Sequence, residues 1–224
     1  MKKWRSYLVE LMVIILGITL SFLVNEWRTN IGNRNIEKDS LQTIYENLQV
    51  DTARLIHGEK MIKKFDGYYG SFLNDSILVK EDSVTFFLAT LRTYSIFVKT
   101  DIGYRELQES GNTRLIKNRD LRYKLIELYT SFYRIAEEWN EIDKQFVMEE
   151  MIPYFNNHFP FLQDYGPEMK KTEFRALLKD DVFLNLVAHN QKFKQLSGVM
   201  YKQSLDAATE LLELLENELD ISQK

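Results

Sequence analysis

The residues that could carry chemistry are few and scattered. The three histidines, His57, His158 and His189, stand far apart, and none belongs to a His-Glu-x-x-His or Glu-x-x-His pair, the spacing that puts two metal ligands on one helical face. The chain has no cysteine, which removes disulfides, thiolate metal sites, cysteine nucleophiles and a lipidated N-terminal cysteine. No Gly-x-x-x-x-Gly-Lys-Ser/Thr loop, Gly-x-Gly-x-x-Gly turn or Gly-x-Ser-x-Gly elbow occurs. His158 lies in an aromatic-rich stretch, but no triad or metal set completes around it. The expectation is therefore no catalytic residue, no metal ligand, no cofactor and no enzyme activity.

Two carboxylates are out of place. Asp51 occupies an inner position of an apolar helical stripe, where an unpaired carboxylate is expensive. Either it pairs with a cation or hydroxyl from another helix, or the helix rotates enough to leave it at the stripe's edge, the reading that wet bundle ends favour. Glu10 interrupts the apolar run Tyr7–Val24 and heads a stripe of Glu10, Ile14, Gly17, Ser21 and Asn25 at three- and four-residue steps. Small residues on such a stripe let a second helix approach, and a carboxyl group at a lipid boundary seeks a partner or water, so the stripe is a candidate transmembrane interface for a homo-oligomer. The alternative is that Glu10 reaches the headgroups by itself and that Gly17 and Ser21 are incidental.

The element that positions this stripe reads as a membrane anchor. Tyr7–Val24 has one ionisable residue in 18 positions, near the lower limit for a transmembrane helix. Trp4 and Trp27 are 23 helical steps apart, about 34 Å, which suits indole anchors at the two membrane interfaces. Residues 1–6 form a short basic tail, 7–27 the span with its interfacial end, 28–38 a short polar linker and 39–224 a helical domain. The amine, Lys2, Lys3 and Arg5 cluster before the span, which predicts the N-terminus in the cytoplasm and the domain outside it, in an inner or cytoplasmic membrane. Signal cleavage is disfavoured, because Thr19 and Ser21, the one small pair at the needed spacing, lie inside the apolar run.

The rest predicts an all-α fold, an antiparallel helical bundle with irregular connections. Three prolines and nine glycines leave few breaks, and 45% of residues are hydrophobic. Leu41, Ile44, Leu48, Leu55, Ile62, Phe65, Tyr69 and Phe72 define one long helix, or two abutting at Gly58. A second is expected from Ser83, its cap, to Phe97, with Val84, Phe87, Leu88 and Leu91 inside. Leu121, Leu125, Leu128, Phe132, Ile135, Trp139, Ile142 and Phe146 define a third, capped by Asn118 and ended before Pro153. The fourth runs from Asp181 to about Leu219 with Leu186, Phe193, Leu196, Met200, Ala207, Leu211 and Leu214 or Leu215 inside. Ser110-Gly111-Asn112 predicts a turn with Gly111 at positive φ, and Pro153–Pro167 a loop tucked against the bundle. Aromatics including Tyr68, Tyr69, Tyr94, Phe97, Tyr104, Tyr154, Phe155, Phe159 and Phe161 pack the core or line a ligand cleft.

The run Tyr7-Leu-Val-Glu-Leu-Met-Val-Ile-Ile-Leu-Gly-Ile18, with Val24-Asn-Glu-Trp27, resembles the start of a family of bacterial single-pass membrane proteins. Tyr104-Arg-Glu-Leu-Gln-Glu-Ser-Gly-Asn-Thr-Arg-Leu-Ile-Lys-Asn-Arg-Asp-Leu-Arg122 is similar to that family's Leu-x-x-Ser-Gly segment followed by Leu-Ile-x-Asn and a helix start. The resemblance covers a small part of the chain and implies a single-pass anchor with a helical domain. It carries no activity onto any residue.

A net charge of −4 with interspersed signs excludes a basic nucleic-acid face. The expected partners are the lipid bilayer, a second copy through the anchor and a protein still to be named. The expected role is interaction or assembly without catalysis. The alternative is an extracytoplasmic ligand-sensing domain acting through an associated subunit, since the short tail has no room for an output domain.

Overall fold

A computed structural model of the chain describes residues 2–73, 81–158 and 176–221, and the described residues are mostly helical, with no strand. Helix α1 is Lys2–Leu73, α2 is Glu81–Leu91, α3 is Ile102–Glu109 and α4 is Arg119–Glu127. A π-turn at Leu128–Phe132 joins α4 to α5 (Tyr133–Phe146), and a second at Val147–Met151 joins α5 to α6 (Ile152–His158). The long α7 is Asp181–Glu218, capped by Asp180, whose carboxylate accepts the Val182 and Phe183 amides. Phe159 and Phe161 fall outside the described residues, as do the side chains of Trp4 and Ser83.

Helix α1 is unbroken, so of the two readings at Gly58 the single long helix is the one present. Residues 28–38, the expected short polar linker, are helical. Glu37 within them is buried and accepts the Lys117 amide at 2.9 Å, so folded structure begins inside the expected linker. Gly58 does not divide the helix either. A Cβ there would lie 2.6 Å from the Tyr201 ring, so glycine serves the close approach of α1 to α7. From Glu10 to Gly32 every residue is exposed, and by length and composition this is the one helix among the described residues apolar enough to cross a membrane.

Beyond residue 36, α1 packs lengthwise against α7. Tyr45 donates to Glu216 at one end and Tyr69 to Asn190 towards the other, so the two helices run antiparallel. The α4–α6 rod is also antiparallel to α7, as Lys124–Glu210 and Tyr201–Asn140 show. Two apolar clusters result. One gathers Leu41, Ile44, Leu48 and Leu55 with Leu121, Leu125, Leu211 and Leu215, and the other gathers Phe65, Tyr69 and Phe72 with Phe87, Val147, Phe155 and Phe183. Every apolar position expected to face inward on α1 is buried. Strict three-and-four spacing on an unbroken helix keeps one face inward.

The other two long stripes are one residue away from where apolar counting puts them. In the first π-turn the Tyr133 amide bonds to the Leu128 carbonyl, five residues back, which inserts one extra residue into the turn. The inward face therefore passes to Tyr133, Ala136, Asn140, Asp143 and Val147, while Phe132, Ile135, Trp139 and Phe146 are half-buried and Ile142 is 41% exposed. The second π-turn does the same at Val147–Ile152. It also explains why Pro153 does not end the rod: the helix continues to His158, because the widened turn relieves the clash a proline ring makes with the preceding turn. On α7 the buried stripe is Phe183, Val187, Asn190, Lys194, Ser197, Tyr201, Ser204, Ala208, Leu211 and Leu215, so Leu186, Phe193, Leu196, Met200, Ala207 and Leu214 are only half-buried.

Candidate functional site: an extended strap held by buried side chains

Helix α2 stops at Leu91 and not at Phe97. The following Thr93-Tyr-Ser-Ile-Phe-Val-Lys-Thr100 is dense in β-branched and aromatic residues, which lose rotamer freedom in a helix and suit an extended chain. Its side chains alternate as in a strand: Ser95 and Phe97 are 8% and 4% exposed, Ile96 and Val98 67% and 62%. No described strand lies beside it, so its peptide groups must find other partners.

Side chains from three helices supply them. On the edge of the odd-numbered residues, Lys194 Nζ donates to the Thr93 carbonyl at 2.6 Å and the Ser95 amide donates to Asp143 Oδ2 at 2.6 Å. Asn140 Nδ2 donates to the Phe97 carbonyl at 3.1 Å, and the Lys99 amide donates to Glu137 Oε1 at 3.5 Å. Glu137, Asn140 and Asp143 follow one another at three-residue steps on α5, so one helical face tracks the strap. The even edge meets α1, where Arg54 Nη1 donates to the Val98 carbonyl at 3.1 Å and the Thr100 amide lies 2.9 Å from both Asp51 oxygens. At the two ends, Asn190 donates to the Leu91 carbonyl at 3.3 Å and Tyr129 to the Thr100 carbonyl at 3.2 Å.

This explains Asp51, which is fully buried and not at the stripe's edge. It takes the Thr100 hydroxyl at 2.8 Å and lies 3.4 Å from Arg54, so its hydroxyl partner comes from the strap and its cation from its own helix, not from another helix. Burial raises its pKa above the ordinary carboxylate value, with the Thr100 hydrogen bonds and Arg54 opposing. Lys194 and Asp143 form a buried pair at 3.2 Å, and burial lowers the lysine's pKa while Asp143 pulls it back up. Burial likewise pushes the Tyr69, Tyr129, Tyr133 and Tyr201 phenols upward, so they stay neutral. The Ser95 and Ser197 hydroxyls are buried without a hydrogen-bond partner.

The outer side of the strap and α1 bound an open groove of about 980 Å³ lined by Val50, Ala53, Arg54, His57, Ile96 and Val98 among others. His57 is thus on a groove wall. The other histidines lie elsewhere: His158 stacks on Tyr154 with ring centroids 4.1 Å apart, and His189 packs near Phe146 and Phe193. Among the described residues no group of three histidines or carboxylates could hold a metal. In the N-terminal part of α1, Ile14, Gly17, Ser21 and Asn25 line one shallow groove, Glu10 is exposed one turn before it, and Trp27 is exposed beyond its end. Gly111 has φ 71° and Asn118 accepts the Leu121 amide, so the turn and the cap stand where they are expected.

Sequence reading passed over Asn140, Asp143, Asn190 and Lys194. The available signal was polar residues repeating at three- and four-residue steps on α5 and α7, the pattern of a buried polar face. Comparison with known proteins adds no relative: no family model, curated protein or solved structure matches this chain.

Proposed function

We propose that the chain is a single-pass membrane protein whose anchor, Tyr7–Val24 with Trp27 at its end, holds an antiparallel helical bundle that docks a partner, without a catalytic step of its own. The observation that carries this reading is the continuity of α1, which passes from a fully exposed apolar stretch into the packed core without a break. An exposed apolar surface of that length in water is a liability that a bilayer removes. Its hydroxyls suit lipid as well: Thr19 donates to the Ile15 carbonyl at 2.8 Å and Ser21 to the Gly17 carbonyl at 2.9 Å, so neither needs water. The basic start favours the N-terminus in the cytoplasm and the domain outside it.

Assembly through the stripe of Glu10, Ile14, Gly17, Ser21 and Asn25 belongs to the same proposal. Crosslinking of the intact protein in its membrane, followed by mass analysis, tests it. Discrete higher-mass species that Gly17→Leu abolishes support the reading; a monomer indifferent to that substitution, with no partner attached, contradicts it.

A second reading, ligand sensing, draws on one observation. The strap grips α1 at Asp51 and Arg54, and α1 continues as one helix to the apolar stretch, so a shift at the groove has a rigid path to the anchor. An associated subunit would carry the output.

A further inference from the structure

We propose that the outer edge of the strap, from Tyr94 to Val98, is a docking site for an extended segment of a partner polypeptide, which adds alongside it as a second strand. This names the partner's chemistry for the interaction reading above and rests on that reading. In a strand, successive peptide groups point to opposite edges. The odd edge of the strap is taken along its length by Lys194, Asp143, Asn140 and Glu137. The even edge is taken only at its far end, by Arg54 on the Val98 carbonyl and Asp51 on the Thr100 amide. Among the described residues no hydrogen bond occupies the amides of Tyr94, Ile96 and Val98 or the carbonyls of Tyr94 and Ile96. An exposed strand edge with alternate apolar side chains is the surface that β-augmentation uses.

The surroundings fit that occupant. The groove beside this edge is of a size suited to a short peptide, with Ile96 and Val98 exposed on it. Its α1 wall carries the exposed Glu46 and the half-exposed Arg54, eight residues or about 12 Å apart along the helix. Complementary charge places a basic residue of the incoming segment near Glu46 and an acidic one near Arg54, with β-branched or aromatic residues at alternate positions between. A second copy is a poor occupant. The strap runs along α1, from the level of Tyr69 and Asn190 down to Asp51, so two copies anchored side by side bring their straps together parallel. A two-fold axis along that direction sets each residue opposite itself, amide against amide.

The test uses the full chain in lipid nanodiscs and a randomised heptapeptide display library, with empty nanodiscs as control. Peptides with alternating β-branched or aromatic residues and no proline should be recovered. Ile96→Thr, which keeps the amide but loses apolar contact, should weaken their binding less than a proline at that position does. Ile96→Pro, which removes one outward amide at an extended position, should weaken it by about tenfold, equivalent to roughly 1.4 kcal/mol. N-methylation of alternate peptide amides, set against the unaltered protein, repeats the test without relying on the proline variant's fold. One methylated set should abolish binding and the other should not. Recovery of no peptide above empty discs, recovery of helical amphipathic peptides only, or indifference to both methylated sets overturns the proposal. The anchor is scored separately by membrane extraction, so a failure here leaves that part of the reading standing.

Discussion

Both carboxylate oxygens of Asp51 lie 2.9 Å from the Thr100 amide nitrogen, and one of them also takes the Thr100 hydroxyl at 2.8 Å. The two residues are 49 positions apart, and this contact ties the end of the strap to the helix that carries the apolar stretch. Replacing Asp51 by Ala leaves the Thr100 amide without its acceptor and Arg54 without its carboxylate. The expected loss is about 2–4 kcal/mol of unfolding free energy in denaturant titrations, with faster amide exchange concentrated at residues 98–101.

The same carboxyl sets a pH dependence. Burial raises its folded pKa above the ordinary value of 3.8, so the folded state holds this proton more tightly than the unfolded state. Its contribution to stability is full below the ordinary value and is lost as pH rises through the raised one. The stability of the native chain minus that of Asp51→Asn should therefore fall as pH rises from the ordinary carboxylate range into the raised window, then level off. A difference that grows with pH over that window would contradict the assignment.

Lys194 and Asp143 should behave as one unit. Lys194→Met leaves Asp143 buried and facing only the Ser95 amide, and is expected to cost about 3–5 kcal/mol. Adding Asp143→Asn to it removes the stranded charge, so the double variant should be more stable than the sum of the two singles requires. A coupling energy of roughly 1 kcal/mol or more in a thermal-unfolding cycle checks this, and simple additivity would contradict it.

Gly58 and Gly67, both on α1, should respond in opposite directions to alanine. At Gly58 the new methyl would lie 2.6 Å and 2.8 Å from Tyr201 ring atoms, and overpacking of that kind costs about 1–3 kcal/mol. At Gly67 nothing lies within 4 Å of the new Cβ. There the higher helix propensity of alanine should raise stability by up to about 1 kcal/mol. Melting temperatures of the two variants read this directly.

The inward face of α1 was legible in the sequence because an unbroken helix with apolar residues at strict spacing has one way to bury them. Gly111 and Asn118 were legible because turn and cap chemistry is local. The registers of α5 and α7 were not. A π-turn adds one residue that no apolar pattern announces, and on α7 the buried face is polar at Asn190, Lys194, Ser197 and Ser204, so counting apolar residues selects its neighbour. The strap escaped because Phe87, Leu91, Tyr94 and Val98 stand at four- and three-residue steps, which continue a helical pattern and so mask the period-two alternation from Ser95 to Val98. Asp51 was visible as an anomaly. Its partner could not be found, because Thr100 belongs to a segment whose extended form was itself unseen.

The central claim is that α1 is one helix joining a membrane anchor to the helical domain. Alkaline carbonate extraction of membranes from cells making the chain, alongside a version lacking residues 1–31, tests it most directly. The account predicts that the full chain stays in the membrane pellet while the shortened one is released in folded, helical form. Release of the full chain into the soluble fraction would contradict it.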